Sequence, residues 1–168
     1  MKLSRRCFAF LPVCFVALSL QAQVKDSVPS VKVSGEVTQA LKLTVADIAK
    51  MPHINTALKD RDGKTVGYSG VPVPDILTRA GVTINKQLRG ENLAKYMLVK
   101  CADGYEVLFS LAEFDSSFTD KTIILADALE GKPLPAGKGP FRLVVPGEKK
   151  PARSCFQVTE FVIKFAKD

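Results

Sequence analysis

The sequence predicts an α+β fold of mixed, mostly antiparallel β-sheets with short helices. Three observations carry that expectation. Two apolar alternating segments fold back on themselves through Asp-Gly turns, at Asp62-Gly63 and Asp103-Gly104. The helical patterns are short, and each is closed by Pro or Gly or opened by a capping residue. Strands do not alternate with long helices, and neither a G-x-G-x-x-G loop nor a P-loop is present, which argues against a doubly wound nucleotide-binding sheet.

Taken in order, Val28–Val37 alternates and reads as an edge-like strand entering the domain. Leu43–Met51 carries Val45, Ile48 and Ala49 at helical spacing, with Thr44 as N-cap and Pro52 as stop. The stretch from Ile54 to Gly70 is a hairpin closed at Asp62-Gly63. In VPVPDILTRAGV, Pro74 suits a first helical turn, Ile76, Leu77 and Ala80 share a face, and Gly81 ends it. The segment from Lys95 to Phe114 is a second hairpin turning at Asp103-Gly104. It runs into a short helix capped by Ser110, with Glu113 at the capping-box position. Lys121–Gly131 is a buried strand, and GPFRLVVPG and SCFQVTEFVIKF supply the last two.

The chain has 168 residues, 46% of them apolar and 24% charged, a size that suits one globular domain. Its start reads as a signal peptide over residues 1–22. Lys2, Arg5 and Arg6 precede an apolar run from Cys7 to Leu20, and Ala22 suits the cut. The run is short for a membrane span. The mature single domain is then 23–168, and the expected location is periplasmic or secreted. The twin arginines in SRRCF also resemble the signal for export of folded cargo; the alternative is that they supply ordinary n-region charge. The net charge is +7; residues 1–22 hold three bases and no acids, so export leaves +4. Bases and acids interleave with no basic stripe or aromatic platform, which excludes nucleic acid as the expected partner. A basic pocket for a small anion remains compatible.

Cys101 and Cys155 are the cysteines beyond the signal. Without a C-x-x-C pair, zinc-ribbon and thioredoxin-like chemistry have no support. Three readings of Cys101 stay open: a disulfide with Cys155, a separate buried thiol, or a metal role. His53 is the sole histidine. It reads as a solvated or capping residue after Pro52, and a hydrolase built on it would lack a Gly-x-Ser-x-Gly elbow.

Four segments, in this order and spacing, resemble the molybdopterin-binding domain of the sulfite oxidase-like oxidoreductases: YSGVPVPDIL (Tyr68–Leu77), CADGYEVLFSL (Cys101–Leu111), ILADALEGKPLP and GPFRLVVPG (Gly139–Gly147). The resemblance covers roughly residues 31–164, and its most specific piece is Pro140–Gly147. It implies that fold, a molybdopterin cofactor, and a separate electron-transfer protein if the chain is redox active. It also places Arg142 and Asp103 as cofactor-binding residues. A guanidinium is a rigid fork for an oxyanion, and a carboxylate accepts from pterin N–H donors. Ordinary readings stand beside these: Arg142 as a paired strand residue, Asp103 as the turn former before Gly104. Lys149, Lys150 and Arg153 follow in EKKPAR and would rim an anion site beside Arg142, or else belong to a solvated loop.

Departures from the pattern bear on chemistry. The family's molybdenum-ligating cysteine falls near Leu58–Lys64, where this sequence has none. After Ala152-Arg153 the family directs a histidine and a lysine toward the cofactor; here Ser154 and Phe156 stand. The expectation is therefore a scaffold that keeps its grip on an anionic pterin or other small anion, with no catalytic or metal-ligating residue assigned and no thiol beside Arg142. The alternative is a cofactor-free periplasmic ligand- or protein-binding module on the same fold.

Overall fold

Val31 and Val33 alternate with polar Lys32 and Ser34, so a strand here buries one face and wets the other. In the computed structural model, which describes residues 28–59 and 62–166, this is β1 (Ser30–Gly35). The proposed signal segment, residues 1–22, lies outside the described residues. β1 is not an edge strand. It sits between β2 (Leu41–Thr44), antiparallel to it, and the C-terminal β10 (Val158–Phe165), parallel to it. The helix expected over 43–51 is correspondingly shorter, because Leu41–Thr44 is spent on that pairing. Only α1 (Val45–Ile48) remains, and Thr44 caps it. The Thr44 hydroxyl accepts from Asp47 N at 3.2 Å while the Asp47 carboxylate accepts from Thr44 N at 2.9 Å.

The first sheet continues from β10 to β5 (Lys95–Cys101) and β6 (Glu106–Ser110), in the order β2-β1-β10-β5-β6. The β5–β6 hairpin turns at Asp103-Gly104 as the sequence predicts. The Asp103 carboxylate accepts from Tyr105 N at 2.9 Å, and Gly104 takes the left-handed conformation (φ 83°) that the turn requires. The capped segment that follows is a single 3₁₀ turn, Leu111–Phe114, with the Ser110–Glu113 box intact.

The second sheet holds β3 (Ile54–Lys59), β4 (Thr65–Pro72), β7 (Ile124–Leu129) and β8 (Lys132–Pro133), with β9 (Arg142–Val144) pairing on β7. β3 and β4 form the Asp62-Gly63 hairpin, and α2 (Val73–Arg79) follows β4 with Pro74 in its first turn. At Gly70 the register of β4 on β7 shifts, and the two backbones come so close that a Cβ would lie 2.3 Å from Leu125 O. Only glycine fits there.

Most of the apolar core joins the two sheets. Val31, Val33, Met97, Val99, Phe161 and Ile163 of the first sheet pack in one cluster with Val71, Leu125 and Leu143 of the second, closed by Ile76 and Leu77 of α2. Each such side chain, fully buried, contributes about 1.5–3 kcal/mol. Among the described residues no helix is long and apolar enough to cross a membrane.

Candidate functional site

The ends of the two sheets leave a cavity of about 750 Å³ between them. The β5–β6 turn brings Asp103 and Tyr105 to it. β4 brings Val66 and Tyr68, with Lys64 at its start; the segment after β8 brings Lys138, β9 brings Arg142, and the residues before β10 bring Ser154, Cys155 and Phe156. The cavity is thus assembled from segments far apart in sequence.

Arg142 is its most constrained polar group. Its neighbours Leu143 and Val144 are core residues, and Arg142 itself is only 5% exposed. A buried guanidinium needs acceptors for its N–H groups. Nε donates to Ser154 O at 3.3 Å, and Nη1 donates to the Tyr68 hydroxyl. Both of these acceptors are neutral. The Arg142 Cζ lies 4.0 Å from the centre of the Phe156 ring and 4.9 Å from that of Tyr68, within cation–π range of both. Ser154 is itself buried and fixed, its hydroxyl accepting from Val145 N at 3.0 Å. Lys138 adds a second cation on Phe156, its Nζ 5.6 Å from the ring centre.

Of the residues singled out in the sequence, Asp103 and Arg142 line this one cavity. Lys149 and Arg153 are not on its wall. Lys149 and Lys150 are exposed. Arg153, on the 3₁₀ turn Pro151–Arg153, points elsewhere. It makes a forked pair with Glu113 (Nη1 to Oε1 3.2 Å, Nη2 to Oε2 2.8 Å) and a second with Glu148 (Nε to Oε1 2.8 Å). Its Cζ lies 4.4 Å from the centre of the Phe109 ring. Two carboxylates therefore neutralise it, and it lines a smaller depression of about 250 Å³.

The expectation that no thiol stands beside Arg142 is corrected. Cys155 lies on the cavity wall between Ser154 and Phe156, the two residues that hold Arg142. It meets Cys101, the last residue of β5; both are unpaired thiols, 5% and 7% exposed. The side-chain hydrogen bond between them dominates their ionisation. It lowers the pKa of Cys101 against the cost of burial, and it raises that of Cys155, whose burial adds to the rise while the Arg142 charge opposes it. The pair thus loses its first proton below the ordinary thiol value and holds the second above it.

His53 stands apart. Nδ1 is 2.8 Å from Met51 O and Nε2 3.1 Å from the Asp127 carboxylate. Two acceptors on one ring favour the imidazolium, which suits a brace between the start of β3 and β7. Among the described residues no cluster of three or more His, Cys, Asp or Glu side chains could hold a metal ion.

Tyr68, Phe156, Ser154, Lys64, Lys138 and Cys155 were not assigned to the site from sequence. Tyr68 carried a signal, as the aromatic residue of the Tyr-x-Gly-Val-Pro segment. Phe156 and Ser154 carried one as departures from the family pattern: they sit where polar cofactor contacts are expected, and here they hold the arginine instead.

A family model for the oxidoreductase molybdopterin binding domain matches residues 20–150. Among solved structures the chain is similar to the sulfane dehydrogenase SoxCD from Paracoccus pantotrophus, with a TM-score of 0.63 and 22% sequence identity. The likeness covers 83% of this chain and 39% of that one, and at such identity it speaks to the fold alone. No curated protein matches.

Proposed function

Since the chain belongs to the oxidoreductase molybdopterin-binding domain family, we propose that its cavity binds an anionic pterin-type cofactor or another small anion. The observation that carries this reading is a buried, cation–π-stacked Arg142 in the wall of a 750 Å³ cavity that also holds Lys64 and Lys138. A fixed guanidinium in a low-dielectric wall attracts an oxyanion more strongly than a solvated one does. Asp103 sits where it can accept from heterocycle N–H groups, since a carboxylate has more acceptor sites than the one Tyr105 N occupies. Tyr105 is braced at the same edge by its hydroxyl, which donates to Ala152 O at 3.1 Å. Lys149 and Lys150 would add only long-range attraction.

When bound, molybdopterin supplies a molybdenum centre for two-electron chemistry. The organic, anionic part of that group would meet the cations Lys64, Lys138 and Arg142, with the carboxylates of Asp103 and Glu130 on the same wall. The metal does not find the family's ligand: no cysteine stands at Leu58–Lys64, and the Cys155 thiol is engaged with Cys101. No redox step is therefore derived. The positive n-region and apolar run of residues 1–22 support export, to the periplasm or outside the cell. If redox turnover occurs, electrons pass to a separate protein.

A second reading, a cofactor-free ligand- or protein-binding module, is favoured by one observation. The basic groups have internal work, Arg142 with Tyr68 and Ser154, Arg153 with Glu113 and Glu148. Protein purified from its native cell envelope separates the two. On denaturation the first reading expects a fluorescent pterin or a phosphorylated small molecule in near-equal amount to protein, with molybdenum measured in parallel. Protein free of any such molecule supports the second.

A further inference from the structure

The Cys101–Cys155 thiols are not used by the anion-binding reading, yet Cys155 stands on the cavity wall with Cys101 behind it. Several features bring them together independently of their ionisation. Cys101 ends β5 with its Cα opposite Val158 of β10. The next residue, Ala102, donates from N to Gln157 O at 3.0 Å. Cys155 is tied to the second sheet, its carbonyl accepting from Leu143 N at 2.9 Å. Both thiols lie in the same apolar cluster, and Cys155 alone reaches the cavity wall. Two thiols within hydrogen-bond contact need little backbone movement to join.

We propose that Cys101 and Cys155 form a reversible disulfide, a redox modification site reached through the cavity. The oxidant is a small disulfide of the glutathione class. After the pair loses its first proton, the remaining one is shared, so the thiolate can reside on Cys155, the member of the pair that reaches the cavity wall. That sulfur attacks the S–S bond of the oxidant, releasing one thiolate and forming a mixed disulfide. Cys101, as thiolate, then attacks the Cys155 sulfur and releases the second oxidant thiol. Two electrons pass to the oxidant, and the two protons end on the two released thiols. The new bond ties the segment carrying Ser154 and Phe156, the holders of Arg142, to the end of β5.

The test uses the full chain, equilibrated with reduced and oxidised glutathione at several ratios, acid-quenched, alkylated, digested and mapped by mass spectrometry. The expected result is a peptide linking Cys101 to Cys155 that grows with oxidised glutathione, consumes both thiols and disappears when reduced glutathione is restored. In Cys101→Ala, a glutathione adduct should be trapped on Cys155. The proposal is overturned if both thiols of the wild-type chain remain alkylatable at the most oxidising ratio, or if either is found joined only to Cys7 or Cys14. It does not depend on the cavity's ligand, so its failure leaves the anion-binding reading untouched.

Discussion

Arg142 donates to the hydroxyl of Tyr68, a residue 74 positions earlier in the chain, inside the wall of the cavity. The contact joins β9 to β4 across the intervening β7, and it makes the Tyr-x-Gly-Val-Pro segment and the Pro-x-Arg-Leu segment parts of one structure. The same guanidinium rests on Phe156, so an aromatic residue from each side of the cavity fixes its position.

Tyr68→Phe keeps the ring and removes the acceptor. A buried charged donor then loses a partner, a cost of about 1–3 kcal/mol. Urea unfolding followed by far-ultraviolet circular dichroism should show an unfolding free energy lower by that amount, seen as a lower midpoint with an unchanged slope. An unchanged midpoint would mean that the hydroxyl does not support Arg142.

Arg153→Met should leave anion affinity at the cavity unchanged within a factor of two, because Glu113 and Glu148 already neutralise this residue. Its forked pairs are partly exposed, and their loss should cost about 0.5–1 kcal/mol. Titration of the variant with inorganic phosphate, read beside its unfolding curve, checks both. A tenfold loss of affinity with intact folding would return Arg153 to the binding site.

His53 supplies a pH-dependent contribution. Partial burial pulls its pKa down, but the hydrogen bonds to Asp127 and Met51 O, with the Asp127 charge, outweigh that and leave it above the ordinary 6.5. A group whose folded pKa is raised stabilises fully below its unfolded pKa, and the effect fades as pH rises through the folded value. Wild-type stability should therefore exceed that of His53→Gln at pH 5.5 by about 0.2–1 kcal/mol. The gap should begin to narrow near pH 6.5 and close above the raised value. A gap that widens on the alkaline side contradicts the assignment.

Gly70→Ala should be among the most damaging single-methyl additions. The new Cβ would meet Leu125 O at 2.3 Å and Ala126 Cα at 2.4 Å, both backbone atoms that cannot swing aside. Overpacking of this kind costs about 1–3 kcal/mol. Thermal melts of the variant against wild type give the result directly, and a shift of less than a degree or two would mean that β4 and β7 can part locally.

The two hairpins and α2 were legible because their information is local: an Asp-Gly turn and a Pro-led helical turn act within a few residues. β2 was not, since Leu41–Thr44 is a strand only by virtue of its neighbour β1. The parallel pairing of β1 with β10 joins segments at opposite ends of the domain, which no local pattern reports. The family resemblance singled out Arg142 and Asp103, and both line the cavity. The turn of Arg153 toward Glu113, and the meeting of Cys155 with Cys101, depend on how the Glu148–Arg153 segment packs against the β5–β6 hairpin. EKKPAR looked like one basic cluster in sequence, yet its arginine and its lysines have different surroundings.

The central claim is that Arg142 makes the cavity a site for an anionic heterocycle. The most direct measurement is the equilibrium binding of a phosphorylated pterin to the apo chain, followed by the pterin's own fluorescence, for wild type and Arg142→Gln. The account predicts saturable one-to-one binding that weakens with added salt and falls at least about tenfold in the variant, a loss of about 1.4 kcal/mol. Folding of the variant is checked by its circular dichroism. No binding to wild type, or equal binding to a folded Arg142→Gln, would contradict it.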